Sequence, residues 1–434
     1  MNLLRGVLLP LVLGALPAAP PQKAPKPGPG LKLPPSENRG RTGSYAARTK
    51  RPGNDYWIYV PKSYSEDNPA GIHLFFHGQN GQGGAPHFGS WAGPFLDRFN
   101  LIGINMQYQD GDNLKDPEGK AASAWEAVAQ TIADYKVVEG RGVIASFSGG
   151  GVPHGILQRD HPNNGAPCGP AWPFCHSALY SSNFLTPVSS KVTPMSWFIS
   201  VGKKEWGMGA PILGESQTAR MAEVLREAVR GGSPDLFGWI TGKGHTIEAA
   251  EVVASAEGFR RSDLAWAPFL YLPDWTEPEL APLARDANAG GVGRALRAAE
   301  RLLSTGRPAE ALRAKAERLR DRLAARAKAI LELLRELAAQ DPVLGEYYGK
   351  ILLPRLGDLP EAKEAREALA EGRKAKGYAR TLALFPPFEK SFRQFFRATG
   401  DLNPEQAPFL EQVRQTALEK SLLGRMAAQY LALQ

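Results

Sequence analysis

Residues 142–151, GVIASFSGGG, narrow what this chain can fold into more than any other stretch. A short β-prone run, Val143-Ile144-Ala145, ends in Ser146-Phe147-Ser148-Gly149-Gly150, and the residues after it lead into a helix. The pattern approximates G-x-S-x-G. In that motif a serine occupies a strained strand-to-helix turn, and small residues two before and two after it let strand and helix come close. Ser148 stands at the serine position, Gly150 at the last glycine, and Ser146, also small, at the first. Taken alone the stretch is equally a Ser/Gly loop, and either serine is eligible.

The surroundings favour the turn. Residues 56–60, 71–76, 101–106, 141–146, 194–201 and 236–241 read as strands. Residues 124–136 carry Ala124, Val128, Ile132 and Tyr135 at helical spacing, and further helices are expected over 217–229, 246–259 and 262–272. Strands alternating with helices predict a mainly parallel sheet with helices on both faces, here over 54–275.

At 434 residues and a formal charge of +8, the chain is long enough for more than one domain. Residues 1–19 place Arg5 before an apolar run and end in Ala18-Ala19, the pattern of a secretory signal peptide, so a secreted or periplasmic protein is expected. No later stretch is long or apolar enough to cross a bilayer. Residues 20–53 read as a Pro-rich, basic and solvated linker (Arg39, Arg41, Arg48, Lys50 and Arg51 in its second half). No RNP, zinc-finger or helix-turn-helix pattern accompanies the basic charge, so no nucleic-acid partner is expected. Cys168 and Cys175, close together in a Gly/Pro-rich loop of an exported chain, predict a local disulfide. Two thiols or half a metal site, with His176 as one further ligand, are the alternative. Residues 286–434 are rich in Ala, Leu, Arg and Glu, and Leu312, Ala316, Leu319, Leu323, Ile330, Leu334 and Leu337 recur at helical spacings. They predict an all-α C-terminal domain available to a protein partner.

A serine hydroxyl is a weak nucleophile at neutral pH. It needs a histidine to take its proton, a carboxylate to orient that histidine, and donors for the oxyanion. Of seven histidines, only His245 follows a strand that lies beyond an acid-bearing strand end; His154 is the reserve. Glu205 falls in Gly202-x-x-Glu205 at the end of strand 194–201, with Glu215 and Asp235 in reserve. The amides of Gly149 and Gln79 are the expected oxyanion donors, with His77 anchoring the Gln79 loop. Neither a Walker loop nor a G-x-G-x-x-G opening a helix is present.

Residues 56–61 (YWIYVP), His77-Gly78, Ser146-x-Ser148-x-Gly150, Gly202-x-x-Glu205 and Gly244-His245 together resemble the α/β-hydrolase superfamily. Within it they are most similar to the secreted polyhydroxybutyrate-depolymerase and feruloyl-esterase-like branch. The resemblance covers roughly residues 50–275 and implies a carboxylic-ester hydrolase with no metal or organic cofactor, acting on a small-molecule or polymer ester. Ser148 would be its nucleophile, His245 its base and Glu205 its acid. Ser146 for glycine and Glu205 for the usual aspartate depart from the family pattern. The insertion 158–193 is expected to form a cap, with Trp172 and Phe174 lining the substrate pocket and Trp206 opposite them. A serine peptidase of the same fold, and an inert hydrolase-like envelope-binding scaffold, are the competing expectations.

Overall fold

The computed structural model describes residues 33–78, 88–108, 115–160, 173–183, 196–207, 213–230, 233–242, 244–266, 277–305, 309–375, 377–397 and 399–433. Among them is one eight-stranded sheet: β1 (Gly43–Ala47), β2 (Tyr56–Val60), β3 (Ala70–Phe76), β4 (Leu101–Met106), β5 (Val137–Ser148), β6 (His176–Ser182), β7 (Ser196–Gly202) and β8 (Leu236–Thr241). Its spatial order is β1-β2-β4-β3-β5-β6-β7-β8. The β2 strand runs antiparallel to both its neighbours, and every pairing from β4 through β8 is parallel. This is the α/β-hydrolase fold.

The sequence dictates why this sheet is covered on both sides. β3 and β4 are buried at every residue, as expected of parallel strands sandwiched between helices. Along β5, Val143 and Ala145 face a core shared with Ala92 and Leu96 of α1 (Phe88–Phe99) and Phe259 of α5 (Ala249–Trp266). Ile144 between them faces the opposite core, shared with Ala124 and Val128 of α2 (Pro117–Asp134), Ile156 and Leu157 of α3 (Gly151–Asp160) and Met221 and Leu225 of α4 (Leu213–Val229). The period-2 alternation of the strand thus sorts the helices into two layers.

Three elements differ from expectation. The basic leader is not wholly solvated: β1 pairs with β2, and Ser36 donates through its backbone N and Oγ to the two carboxylate oxygens of Asp134 at 2.5 and 2.7 Å. The expected cap contains β6, a central strand of the sheet between β5 and β7. Its sequence, HSALYSS, hides it, because its polar residues are buried and hydrogen-bonded rather than exposed. His176 binds Ser196 Oγ through Nδ1 (2.6 Å) and Ser255 Oγ through Nε2 (2.9 Å). Finally, α5 is one helix through Trp266 where two were expected.

The helical region is divided between two cores. Helices α6 (Ala281–Asn288), α7 (Val292–Thr305), α8 (Glu310–Gln340), α9 (Pro342–Leu356) and α10 (Pro360–Lys374) pack around Leu319, Leu323, Ile330, Leu334, Tyr348 and Leu352. Helices α11 (Tyr378–Phe392), α12 (Ala407–Thr416) and α13 (Leu422–Leu431) instead return to the sheet, and Phe388, Phe392, Met426 and Tyr430 join its main core. One face of these helices is therefore packed on the sheet. Gly238 of β8 leaves the space that Met426 and Tyr430 fill, and Tyr430 Oη donates to the Gly238 carbonyl at 3.4 Å. Buried ionic groups tie the parts together: Asp235 accepts two hydrogen bonds from Arg261, each 2.8 Å, and one from Tyr348 Oη on α9 at 2.5 Å. Burial by itself would raise the Asp235 carboxyl, but the Arg261 charge and the hydrogen bonds from Arg261 and Tyr348 together hold it below its ordinary value. Among the described residues no helix is long and apolar enough to cross a membrane.

Candidate active site

The turn after β5 carries the strain its sequence predicts. Ser148 has φ 52°, in the left-handed region that costs a non-glycine residue roughly 1–2 kcal/mol. Opposite it, Ser181 of β6 also has a positive φ, 43°, and the β5–β6 register slips between Phe147 and Ser148. The Ser148 carbonyl accepts from Asn183 N at 2.7 Å and from Ser182 Oγ at 3.3 Å, which holds the turn closed. A Cβ on Gly150 would collide with the Phe76 and His77 carbonyl oxygens, so the last glycine of the motif is needed for strand and helix to meet. Gly78 is similarly confined: a Cβ there would lie 3.0 Å from Ser148 Cβ.

The two serines of the motif have separate fates. Ser146 is fully buried; its Oγ hydrogen-bonds Ser182 Oγ at 2.7 Å and His154 Nδ1 at 2.9 Å. Burial lowers the His154 imidazole to about 3, so it stays neutral beneath the sheet. Ser148 is partly exposed. Phe147, immediately before it, stacks on the His245 ring with centroids 4.6 Å apart.

His245 is in turn bonded to the predicted acid. Its Nδ1 lies 3.0 Å from Oε1 of Glu205, a carboxylate with no exposed surface on the 3-10 turn Lys203–Gly207 that follows β7. A histidine held through Nδ1 by a carboxylate keeps Nε2 available for proton transfer. Beside this pair sequence reasoning missed Glu251, a buried residue of α5. Its carboxyl is raised by burial, with smaller contributions of the same sign from Glu248 and Glu205. No sequence motif marks it, because only the packing of α5 against the end of β7 brings it there.

The remaining predicted residues are distributed as follows. Gly149 follows Ser148 in the turn, where the motif puts the first oxyanion donor, whereas Gln79, Trp172 and Cys168 lie outside the described residues. Buried His77 donates through Nδ1 to the neighbouring Gly78 carbonyl at 2.5 Å, and burial lowers its imidazole. Phe174, expected at the pocket, is wholly buried in the main core among the described residues, close to where a Gly142 Cβ would sit, because β6 begins just after it. Trp206 packs on Phe396, centroids 5.5 Å apart, beside a cavity of about 310 Å³ that Glu215, Thr218, Arg393 and Arg397 also line. Cys175 is a buried thiol whose Sγ donates to the Gly142 carbonyl at 3.5 Å, in place of the expected cystine. Of the reserve acids, Asp235 is committed to Arg261, and Glu215 belongs to the Trp206 cavity.

Solved structures to which the chain is similar include an acetyl xylan esterase from Aspergillus awamori (14% identity, 50% of this chain and 99% of that one, TM-score 0.35). A poly(3-hydroxybutyrate) depolymerase from Bordetella parapertussis is 15% identical over 50% of this chain and 94% of that one, with TM-score 0.37. A thermostable esterase is 16% identical over 46% of this chain and 55% of that one, with TM-score 0.36. No family model and no curated protein matches the chain. Likeness of this degree leaves the chemistry to be read from the site itself.

Proposed function

We propose that the protein is an exported serine hydrolase that cleaves carboxylic esters through Ser148, His245 and Glu205. The observation that carries this reading is the 3.0 Å contact between His245 Nδ1 and the buried Glu205 Oε1, in a histidine stacked beside the strained Ser148 turn. In the reaction, Ser148 Oγ attacks the ester carbonyl carbon while His245 Nε2 takes the hydroxyl proton. The oxyanion is held by the Gly149 amide and, from the loop after β3, that of Gln79. The intermediate collapses, the C–O bond to the alcohol breaks, and His245 returns the proton to the leaving alkoxide. Water then attacks the acyl-serine, giving its proton to His245; collapse frees the acid and restores the Ser148 hydroxyl. Glu205 fixes the tautomer of His245 and stabilises the imidazolium at both stages.

The family resemblance of the motifs supports small-molecule or polymer esters as the substrate class, and the pattern of residues 1–19 supports export. Hydrolysis of a short p-nitrophenyl ester and covalent labelling by a fluorophosphonate test the assignment. Both are expected in the wild-type protein and lost in Ser148→Ala. Labelling that persists in Ser148→Ala would overturn it, and turnover of amides in preference to esters would turn it into a peptidase.

A further inference from the structure

The turn that carries Glu205 is held from behind by residues about 200 positions later in the chain. Trp206, next to the acid, rests on Phe396, which with Leu402 closes a β-bridge beyond α11. Within that bridged segment, Gly400 has φ +80°, and a Cβ there would lie 2.7 Å from the Lys203 carbonyl and 2.9 Å from the Trp206 ring. No side chain fits at this contact. Asp401 Oδ1 accepts from Lys203 Nζ at 3.0 Å, and the same ammonium donates to the Leu433 carbonyl at 3.1 Å. On the other side, Gly214 of α4 packs against Trp206 where a Cβ would overlap the indole. The acid itself contributes little to fixing its turn: Glu205 Oε2 is buried with no hydrogen-bond partner among the described residues. Its position therefore depends on the packing of its neighbours, Lys203 and Trp206.

We propose that Phe396, Gly400 and Asp401 are positioning residues for the acid of the triad: by clamping Trp206 and Lys203 they hold Glu205 against His245 Nδ1. The helical region beyond residue 378 would then be a working part of the hydrolase. This inference rests on the ester-hydrolase reading, since it assigns a role within that triad. A carboxylate displaced by a fraction of an ångström still permits folding and substrate binding, but it stabilises the imidazolium less well in the transition state. The signature is a fall in kcat without a matching rise in KM.

The test uses the full chain with Phe396→Ala and Asp401→Asn, and Phe396→Tyr and Asp401→Glu as conservative partners. On a p-nitrophenyl ester, kcat is expected to fall about tenfold in Phe396→Ala and about threefold in Asp401→Asn, with KM within about twofold of wild type. The conservative variants should recover most of the loss. In parallel, the downfield proton resonance of the His245 Nδ1–H bonded to Glu205 is followed by NMR. It is expected to weaken in the two disrupting variants and return in the conservative ones. Asp401 is more than half exposed, so Asp401→Asn reports even if Phe396→Ala fails to fold. Unchanged kcat and an unchanged resonance in folded Asp401→Asn and Phe396→Ala would overturn the proposal. If the wild-type protein hydrolyses no ester, the functional reading fails, and the resonance still decides whether these residues position Glu205.

Discussion

Two serines, Ser146 and Ser148, stand at the end of one strand, and each has a histidine near it in different surroundings. Ser146 and His154 hydrogen-bond at 2.9 Å, but both are fully buried, and burial lowers the imidazole to about 3. Ser148 lies at a positive-φ turn beside His245, whose Nδ1 is held by Glu205. A hydrogen-bonded Ser–His pair is thus an insufficient mark of a nucleophile. Surface access, backbone strain that presents the hydroxyl, and a carboxylate that makes the imidazolium tolerable separate catalysis from structure.

The largest expected effect breaks or keeps this distinction. Ser148→Ala should lower esterase turnover by more than about ten-thousandfold. Ser146→Ala should retain fluorophosphonate labelling and show its cost in urea unfolding, about 1–3 kcal/mol for stranding buried polar partners. Labelling lost in Ser146→Ala but kept in Ser148→Ala would reverse the roles of the two serines. Next in size, Glu205→Gln should reduce kcat by about a thousandfold with little change in KM, because the amide cannot compensate the imidazolium. Stopped-flow acylation and steady-state kinetics check this, and retention of full activity would remove Glu205 from the triad.

A smaller effect concerns the buried histidines. His154, His176 and His73 are lowered by burial to about 3, about 3 and about 4. Each binds its proton more readily in the unfolded chain, so the stability that each supplies is complete above pH about 6.5 and is lost as pH falls toward those values. At pH 5 the loss is on the order of 2 kcal/mol per histidine. Urea unfolding at pH 7 and pH 5 measures it. A pH-independent stability over this range would mean that these imidazoles are not buried as described.

Much of the site was legible because its parts are local signals at strand ends. The elbow, the Gly202-x-x-Glu205 turn and the Gly244-His245 loop each follow a short apolar run, and the structure brings Glu205 and His245 together. What was illegible depends on partners distant in sequence. β6 escaped because its polar residues find partners on neighbouring elements, His176 on Ser196 of β7 and Ser255 of α5 and Ser182 on Ser146 of β5, so hydropathy marks as surface what the fold buries. β1 escaped because five residues in a basic leader become a strand only when β2 is beside them. Phe174 read as a pocket aromatic because nothing local showed that a central strand begins two residues later. The helical region read as one block because a helix carries no local label for which of two cores it will join.

The bond from Lys203 to the Leu433 carbonyl spans 230 positions, and α13 lies over β8, the last strand of the sheet. As the chain emerges from the ribosome, the elbow, Glu205 and His245 are all outside long before residues 422–433 exist. Until those residues arrive, the open side of β8 keeps its apolar surface in water and the turn bearing Glu205 lacks its brace. Protein quality control therefore meets this chain as a nearly complete sheet with one sticky edge, and a ribosome that stalls after residue 375 yields a product prone to aggregate rather than a smaller working protein.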